Sequence, residues 1–109
     1  VFGICRGMQI INLYFGGKLA NIKDHVAVRH QIFPEDSEFH LPETVNSYHN
    51  WGILPEGLAH QLSMVAHDSE GNVEAFCHRE KKVFGIMWHP EREYPSNHRD
   101  IELFRKVFL

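Results

Sequence analysis

Cysteine is scarce in this chain: Cys5 and Cys77 are the only two among 109 residues. Two thiols cannot build a disulfide framework, so the fold must rest on a hydrophobic core, and a reactive thiol must be kept reduced. Long apolar runs are missing too, none approaching the ~20 residues of a membrane span. The N-terminus lacks the basic start of a secretory signal, and the expected location is the cytoplasm. Excess charge of one sign is also absent. The formal net charge is −3, which favours neither nucleic acid nor an anionic membrane as partner. Internal repeats and low-complexity tracts do not occur, nor do H-E-x-x-H and C-x-x-C. The nearest pair among the nine histidines, His25 and His30, falls in a stretch without helical period. No metal and no cofactor is therefore expected. His60 and His67 read as surface or hydrogen-bonded histidines.

What the chain does hold is a globular balance, 43% hydrophobic and 23% charged, and two short motifs at opposite ends. Gly3-Ile4-Cys5-Arg6-Gly7 sets a cysteine between two glycines, after an apolar run and before a helical one, Met8 to Phe15. A G-x-C-x-G turn from strand to helix forces the central residue into a strained, exposed conformation in which flanking side chains would clash. At a helix N-terminus the unpaired N–H groups and the positive dipole end stabilise a thiolate, so Cys5 is expected to be acidified. The competing reading is an inert cysteine buried at the end of a core strand.

At the other end, Val83 to Trp88 reads as a buried strand, and His89-Pro90-Glu91 follows where that strand must turn. Catalytic side chains of open α/β sheets collect at such carboxyl ends. Pro90 fixes the backbone between His89 and Glu91. A carboxylate that holds one imidazole nitrogen leaves the other free to take a proton from a thiol. The two motifs together supply a nucleophile, a base and an orienting group.

Between them, Arg6 to Phe15 is predicted as a helix stopped by Gly16-Gly17. Lys23 to Pro42 shows no sustained period and is expected to be loop with one short strand at most. Leu62 to His67 and Val73 to Cys77 flank Asp68-Ser69-Glu70-Gly71-Asn72 and read as a hairpin, with Cys77 a strand residue. Asp100 to Leu109 places Ile101, Leu103, Phe104, Val107 and Phe108 at helical spacing, a C-terminal helix that covers the sheet.

With both motifs placed, the chain resembles the class I glutamine amidotransferase-like hydrolases, a Cys-His-Glu family, and within it the γ-glutamyl hydrolase branch typified by γ-glutamyl-GABA hydrolase (peptidase C26). Gly3 to Gln9 reads as that branch's nucleophile elbow. Phe15-Gly16-Gly17-Lys18-Leu19, Val45-Asn46-Ser47-Tyr48-His49 and Val73-Glu74-Ala75-Phe76 follow in the family's order, so the likeness extends over nearly the whole chain. It implies a flavodoxin-like α/β fold, here the C-terminal portion of one domain spanning residues 1–109: part of a mostly parallel sheet flanked by helices, with a β-hairpin excursion. Family members run to about twice this length, within ordinary domain sizes. The N-terminal strands and helices, and a Gly-Gly loop giving a second oxyanion-hole N–H, would lie ahead of Val1. Without those elements, Val1 to Ile4 and Val83 to Trp88 are expected to lack sheet neighbours.

Carried over, the resemblance implies that Cys5 is the nucleophile, His89 the general base and later acid, and Glu91 the group that orients His89. The Arg6 backbone N–H would serve the oxyanion hole. Gln9, Ser47 and Tyr48 match positions that contact the glutamyl moiety, and His49 lies beside them. The plain alternatives are that Gln9 decorates a first helical turn and that Ser47 caps or turns the backbone. The implied reaction is hydrolysis of a γ-glutamyl amide through a Cys thioester, with a small γ-glutamyl compound as partner. Two alternatives stay open: a glutaminase subunit that passes ammonia to a synthase, and a non-catalytic α/β fragment or binding module. Homo-oligomerisation is also left open. Met87 stands where many relatives have Gln, and Asn50-Trp51 where some have His or Gln, so the leaving group is unassigned among γ-aminobutyrate, other amines and a nucleotide-linked phosphoramidate.

Overall fold

The computed structural model describes residues 1–22, 26–35 and 38–108, with Ala27 as backbone only. In chain order the described elements are β1 (Phe2–Ile4), α1 (Arg6–Tyr14), β2 (Ala20–Asn21), β3 (Val26–Gln31), β4 (Phe33–Pro34), β5 (Thr44–Tyr48), β6 (Trp51–Gly52), β7 (Leu62–His67), β8 (Val73–His78), β9 (Phe84–Ile86) and α2 (His98–Phe108). Short 3-10 turns lie at Pro55–Gly57 and Pro90–Arg92. Five strands form one sheet in the order β1-β9-β8-β7-β4, while β2-β6 and β3-β5 make two-stranded ribbons.

The α/β class and flanking helices follow the expected pattern, but in the described sheet only β1 and β9 run parallel; the β9-β8, β8-β7 and β7-β4 pairings are antiparallel. Gly3 and Gly85 face each other across the parallel pair. A Cβ on Gly3 would lie 2.7 Å from the Gly7 and Met8 backbone, and one on Gly85 would lie 2.8 Å from Met8 and Phe76. Two bare backbone positions side by side let α1 settle on the sheet. Gly7 differs: a Cβ there would meet nothing within 4 Å, so of the elbow's two glycines only Gly3 is required by packing.

Helix α1 ends as its glycines predict. Gly16, at φ 93°, and Gly17 donate to the carbonyls of Leu13 and Asn12 at 3.0 and 2.8 Å, a Schellman closure. One apolar layer, with Met8, Ile53, Leu62, Phe76 and Met87, lies beneath α1. The other, with Val45, Ala75, Phe84, Ile86, Trp88 and Leu103, lies on the α2 face. Successive strand residues alternate between the layers, Phe84 and Ile86 on one side and Met87 on the other. No helix among the described residues is long and apolar enough to cross a membrane.

The β7-β8 hairpin is closed by Asp68, whose carboxylate accepts from the backbone N–H of Glu70 and Asn72 and from the Asn72 side chain, all at 2.9 Å. Residues 23–42 depart from the loop expectation, since β3 and β4 both fall there. Their pattern is weak because β3 pairs with β5 alone and leaves Val26 and Val28 exposed, so no buried face imposes alternation. His25 lies outside the described residues. Strand β9 is not short of neighbours, contrary to expectation: β1 and β8 flank it, and of the two strands β1 alone lies at a sheet edge.

Candidate active site

Parallel pairing puts the two terminal motifs together. Ile4 stands opposite Ile86, and the Cys5 N–H donates to the Ile86 carbonyl at 2.8 Å, so Cys5 leaves β1 beside the point where the chain runs on from β9 toward His89. Cys5 has φ 53° and ψ −103° and is the one non-glycine residue with positive φ among the described residues. Such strain costs about 1–3 kcal/mol and persists only where the surroundings over-determine it. Here the strand pairing holds one side and α1 the other, the Gln9 N–H donating to the Cys5 carbonyl at 3.0 Å.

Cys5 is 9% exposed. Burial raises its pKa, and outweighs the Arg6 N–H at its sulfur and the charges of Arg92 and Arg6, all of which lower it; Glu74 adds to the rise. The expectation of an acidified Cys5 is thus corrected. The helix terminus acts in the expected direction, but desolvation of a thiolate in the layer beneath α1 is larger. A thiol held protonated needs a base at the moment of attack.

His89 lies in an extended connection after β9, its Nδ1 2.6 Å from the Glu91 carboxylate across Pro90. An ionised carboxylate only accepts, so Nδ1 carries the proton and Nε2 is the nitrogen left to accept one. Desolvation pushes the Glu91 carboxyl up, but its own backbone N–H, the His89 hydrogen bond and the charges of His89 and Arg92 together bring it below the usual range. Two residues that carry no chemical signal in the sequence complete the setting. Buried Asn46 clamps the His89 backbone, accepting from its N–H and donating to its carbonyl, both at 2.8 Å. Arg92 lies over the Tyr48 ring, 4.3 Å from its centroid, and Tyr48 stands edge-on to His89 at 6.1 Å.

Arg6 and Gln9 line an open hollow of about 540 Å³ with Ile10, Leu13, Leu19 and Trp51. The Gln9 amide donates to the Trp51 carbonyl at 2.8 Å, and His49 Nδ1 lies 3.0 Å from the same oxygen. Tyr48 is partly exposed, whereas Ser47 and His49 are buried. The His49 ring therefore faces the interior, where its Nε2 lies 3.9 Å from Glu74; His30 Nε2 lies 3.4 Å from the other oxygen of that carboxyl. No group of three or more potential ligands among the described residues is arranged to hold a metal ion.

Burial, and then the charge of Asp68, pushes the Glu74 carboxyl well above the ordinary range. The folded state then holds this proton more tightly than the unfolded chain. The resulting stability is fully present below the ordinary carboxylate pKa and is lost as pH rises through the raised one. Glu74→Gln, which stays neutral, should melt increasingly above the parent as pH climbs from acid through that window. Thermal melts of both across pH check this, and a pH-independent difference would show that Glu74 is ionised in the fold.

Comparison with known proteins gives the chain's family. The model of the family described as "Glutamine amidotransferase class-I" matches residues 1–109. The γ-glutamyl-CDP-amidate hydrolase of Campylobacter jejuni is 36% identical over 108 residues, covering 99% of this chain and 50% of that protein. One of the subunits of the glutamine-hydrolysing GMP synthase of Methanococcus vannielii is 32% identical over 99 residues, covering 84% of this chain and 50% of its own length. A Thermoplasma acidophilum crystal structure superposes with a TM-score of 0.79 at 29% identity, covering 97% of this chain and 54% of that one. The chain thus spans about half the length of the relatives it matches.

Proposed function

We propose, from the premise that the chain belongs to the class I glutamine amidotransferase family, that it is the C-terminal portion of one such domain and that this domain hydrolyses the γ-glutamyl amide bond of a small γ-glutamyl compound. The observation that carries the reading is the strained Cys5, set by parallel pairing beside the end of β9, whose continuation bears a histidine with Nδ1 held 2.6 Å from Glu91. His89 Nε2 takes the thiol proton as Sγ attacks the γ-carbonyl carbon. The Arg6 N–H stabilises the oxyanion. His89 then returns the proton to the departing amine, leaving a γ-glutamyl thioester. A water deprotonated by His89 attacks the thioester, the C–S bond breaks, His89 returns the proton to Sγ, and glutamate is released. Gln9 and the Ser47–Tyr48 backbone bind the glutamyl end, while buried His49 positions that segment through Trp51. A thiol used this way suits the reducing cytoplasm.

The similarity to a γ-glutamyl-CDP-amidate hydrolase supports a substituted amide as substrate. Similarity to GMP synthase subunits supports a second reading, a glutaminase that delivers ammonia to a synthase. Glutamate release from a panel of γ-glutamyl amides, glutamine included, separates them in the full-length protein. Substituted amides should be turned over well ahead of glutamine with no partner present. A preference for glutamine that appears only with a copurifying synthase would establish the second reading, and no release from any amide would reject both.

A further inference from the structure

The ribbon β3-β5 stands apart from the five-stranded sheet, yet one of its faces is committed to the segment that bears His89 and Glu91. Beyond Ile86 the chain is held by the Met87 N–H on the Glu74 carbonyl at 2.8 Å; two residues on, the His89 N–H meets the Asn46 side chain in place of a strand. Arg29 is the cross-strand partner of Asn46, so the two side chains leave the same face of the ribbon. Arg29 reaches the far end of the same turn, its Nη1 lying 2.8 and 3.0 Å from the two Glu93 carboxylate oxygens. Its Nη2 donates to the carbonyl and hydroxyl of Thr44 at 3.2 and 3.3 Å. Thr44 and Tyr48 alternate with Asn46 along β5 and share its face, and Tyr48 carries Arg92 on its ring. The turn is thus gripped at His89, at Arg92 and at Glu93. Glu91, between those points, has a side chain 58% exposed, so packing does not hold it on His89.

We propose that Arg29 is a positioning residue for amide hydrolysis: with Asn46 it makes the β3-β5 ribbon a strap over the His89–Glu93 turn, which keeps the His89–Glu91 pair in its working orientation. The inference rests on the reading of Cys5, His89 and Glu91 as the hydrolytic group and adds to it what holds the base in place. The plain alternative is a surface ion pair, which contributes little to stability and nothing to chemistry. Two features favour the strap. The Glu93 carboxylate is only 17% exposed and ends the turn that starts at His89. The guanidinium bridges, one arm on Glu93 and the other on Thr44 of β5, a span that a single ammonium does not make. Strand β5 also carries the Ser47–Tyr48 backbone assigned to the glutamyl end, so one element registers substrate and base against each other.

The test is steady-state kinetics of the full-length protein on whichever γ-glutamyl amide the wild type turns over fastest, with a thermal melt of every variant. Arg29→Gln frees the far end of the turn and leaves Asn46 on the near end. Its kcat should fall about tenfold, short of the roughly 100-fold that a 1 Å misplacement can cost, with KM held within about threefold. Glu93→Gln should do the same, and the double variant should be no worse than the more affected single, the mark of two residues acting through one contact. Arg29→Lys should fall between, since it keeps the charge and loses the bridge to Thr44. Melting temperatures should hardly move, because the pair is half exposed. Wild-type kcat in both single variants, with or without a lowered melting temperature, would make the pair a surface brace and overturn the strap. Losses that add in the double variant would overturn it as well. A wild type that releases glutamate from no γ-glutamyl amide would instead overturn the hydrolase reading, and the catalytic role of the strap with it.

Discussion

Cys5→Ala in the full-length protein should lower glutamate release by roughly 10⁴-fold or more, the usual consequence of removing the nucleophile from a unit that acts together. The fold should survive. Alanine at φ 53° is no more strained than cysteine, because both carry a Cβ, and the Ile86 and Gln9 backbone hydrogen bonds of the elbow do not involve the side chain. Loss of one buried sulfur costs about 1 kcal/mol, a small-cavity effect. Circular dichroism and a thermal melt would verify the fold while steady-state assays report turnover. Near-normal turnover would remove Cys5 from the mechanism. Trapping with a γ-glutamyl chloroketone and mass spectrometry gives an independent reading, since Cys77 lies in β8 packed on the α2-side core and should stay unmodified.

A comparably large effect is expected from separating these 109 residues from an upstream half. Strand β1 is hydrogen-bonded to β9 on one side and forms the edge of the sheet. Around that edge Val1 is 73%, Ile10 58%, Tyr14 81% and Phe108 58% exposed. The open space at Gly7 lies on the same flank of α1 as Tyr14, about two helical turns apart. An apolar edge of this kind is a template for pairing, and uncovered it promotes aggregation. The residues expressed alone should be poorly soluble or inactive, and co-expression with the upstream half should restore glutamate release. Where that half contributes the second oxyanion donor, its loss by itself would lower turnover by ~100-fold or more. A monomeric, cooperatively melting and fully active 109-residue protein would show that the half-domain reading is wrong.

The parts of the fold legible in the sequence were those governed by local chemistry. The elbow, the Gly16-Gly17 stop, the Asp68 turn and the apolar stripe of α2 depend on residues a few positions apart, and each lies where its pattern places it. Long-range partners decided the rest. Strand β3 has no apolar layer of its own to enforce a period, so its residues read as loop. The Cys5 pKa depends on the burial of the thiol in the layer that also holds Met8, Phe76 and Met87, which a helix-terminus argument does not contain. Asn46 looks like any turn-forming asparagine until its amide is found on the His89 backbone. Glu74 sits among apolar neighbours in β8, and only the approach of His30 from β3 and of His49 from the β5-β6 connection gives its burial a meaning.

The pairing of β1 with β9 joins the first strand of the described chain to the last. Such a contact closes almost the longest loop the sequence allows, and non-local pairings of this kind form slowly because chain entropy is surrendered before any contact repays it. On a ribosome Cys5 emerges before His89, so the thiol waits for the histidine that the proposed mechanism pairs with it. On the proposed mechanism, hydrolytic competence then waits for the docking of β9 between β1 and β8.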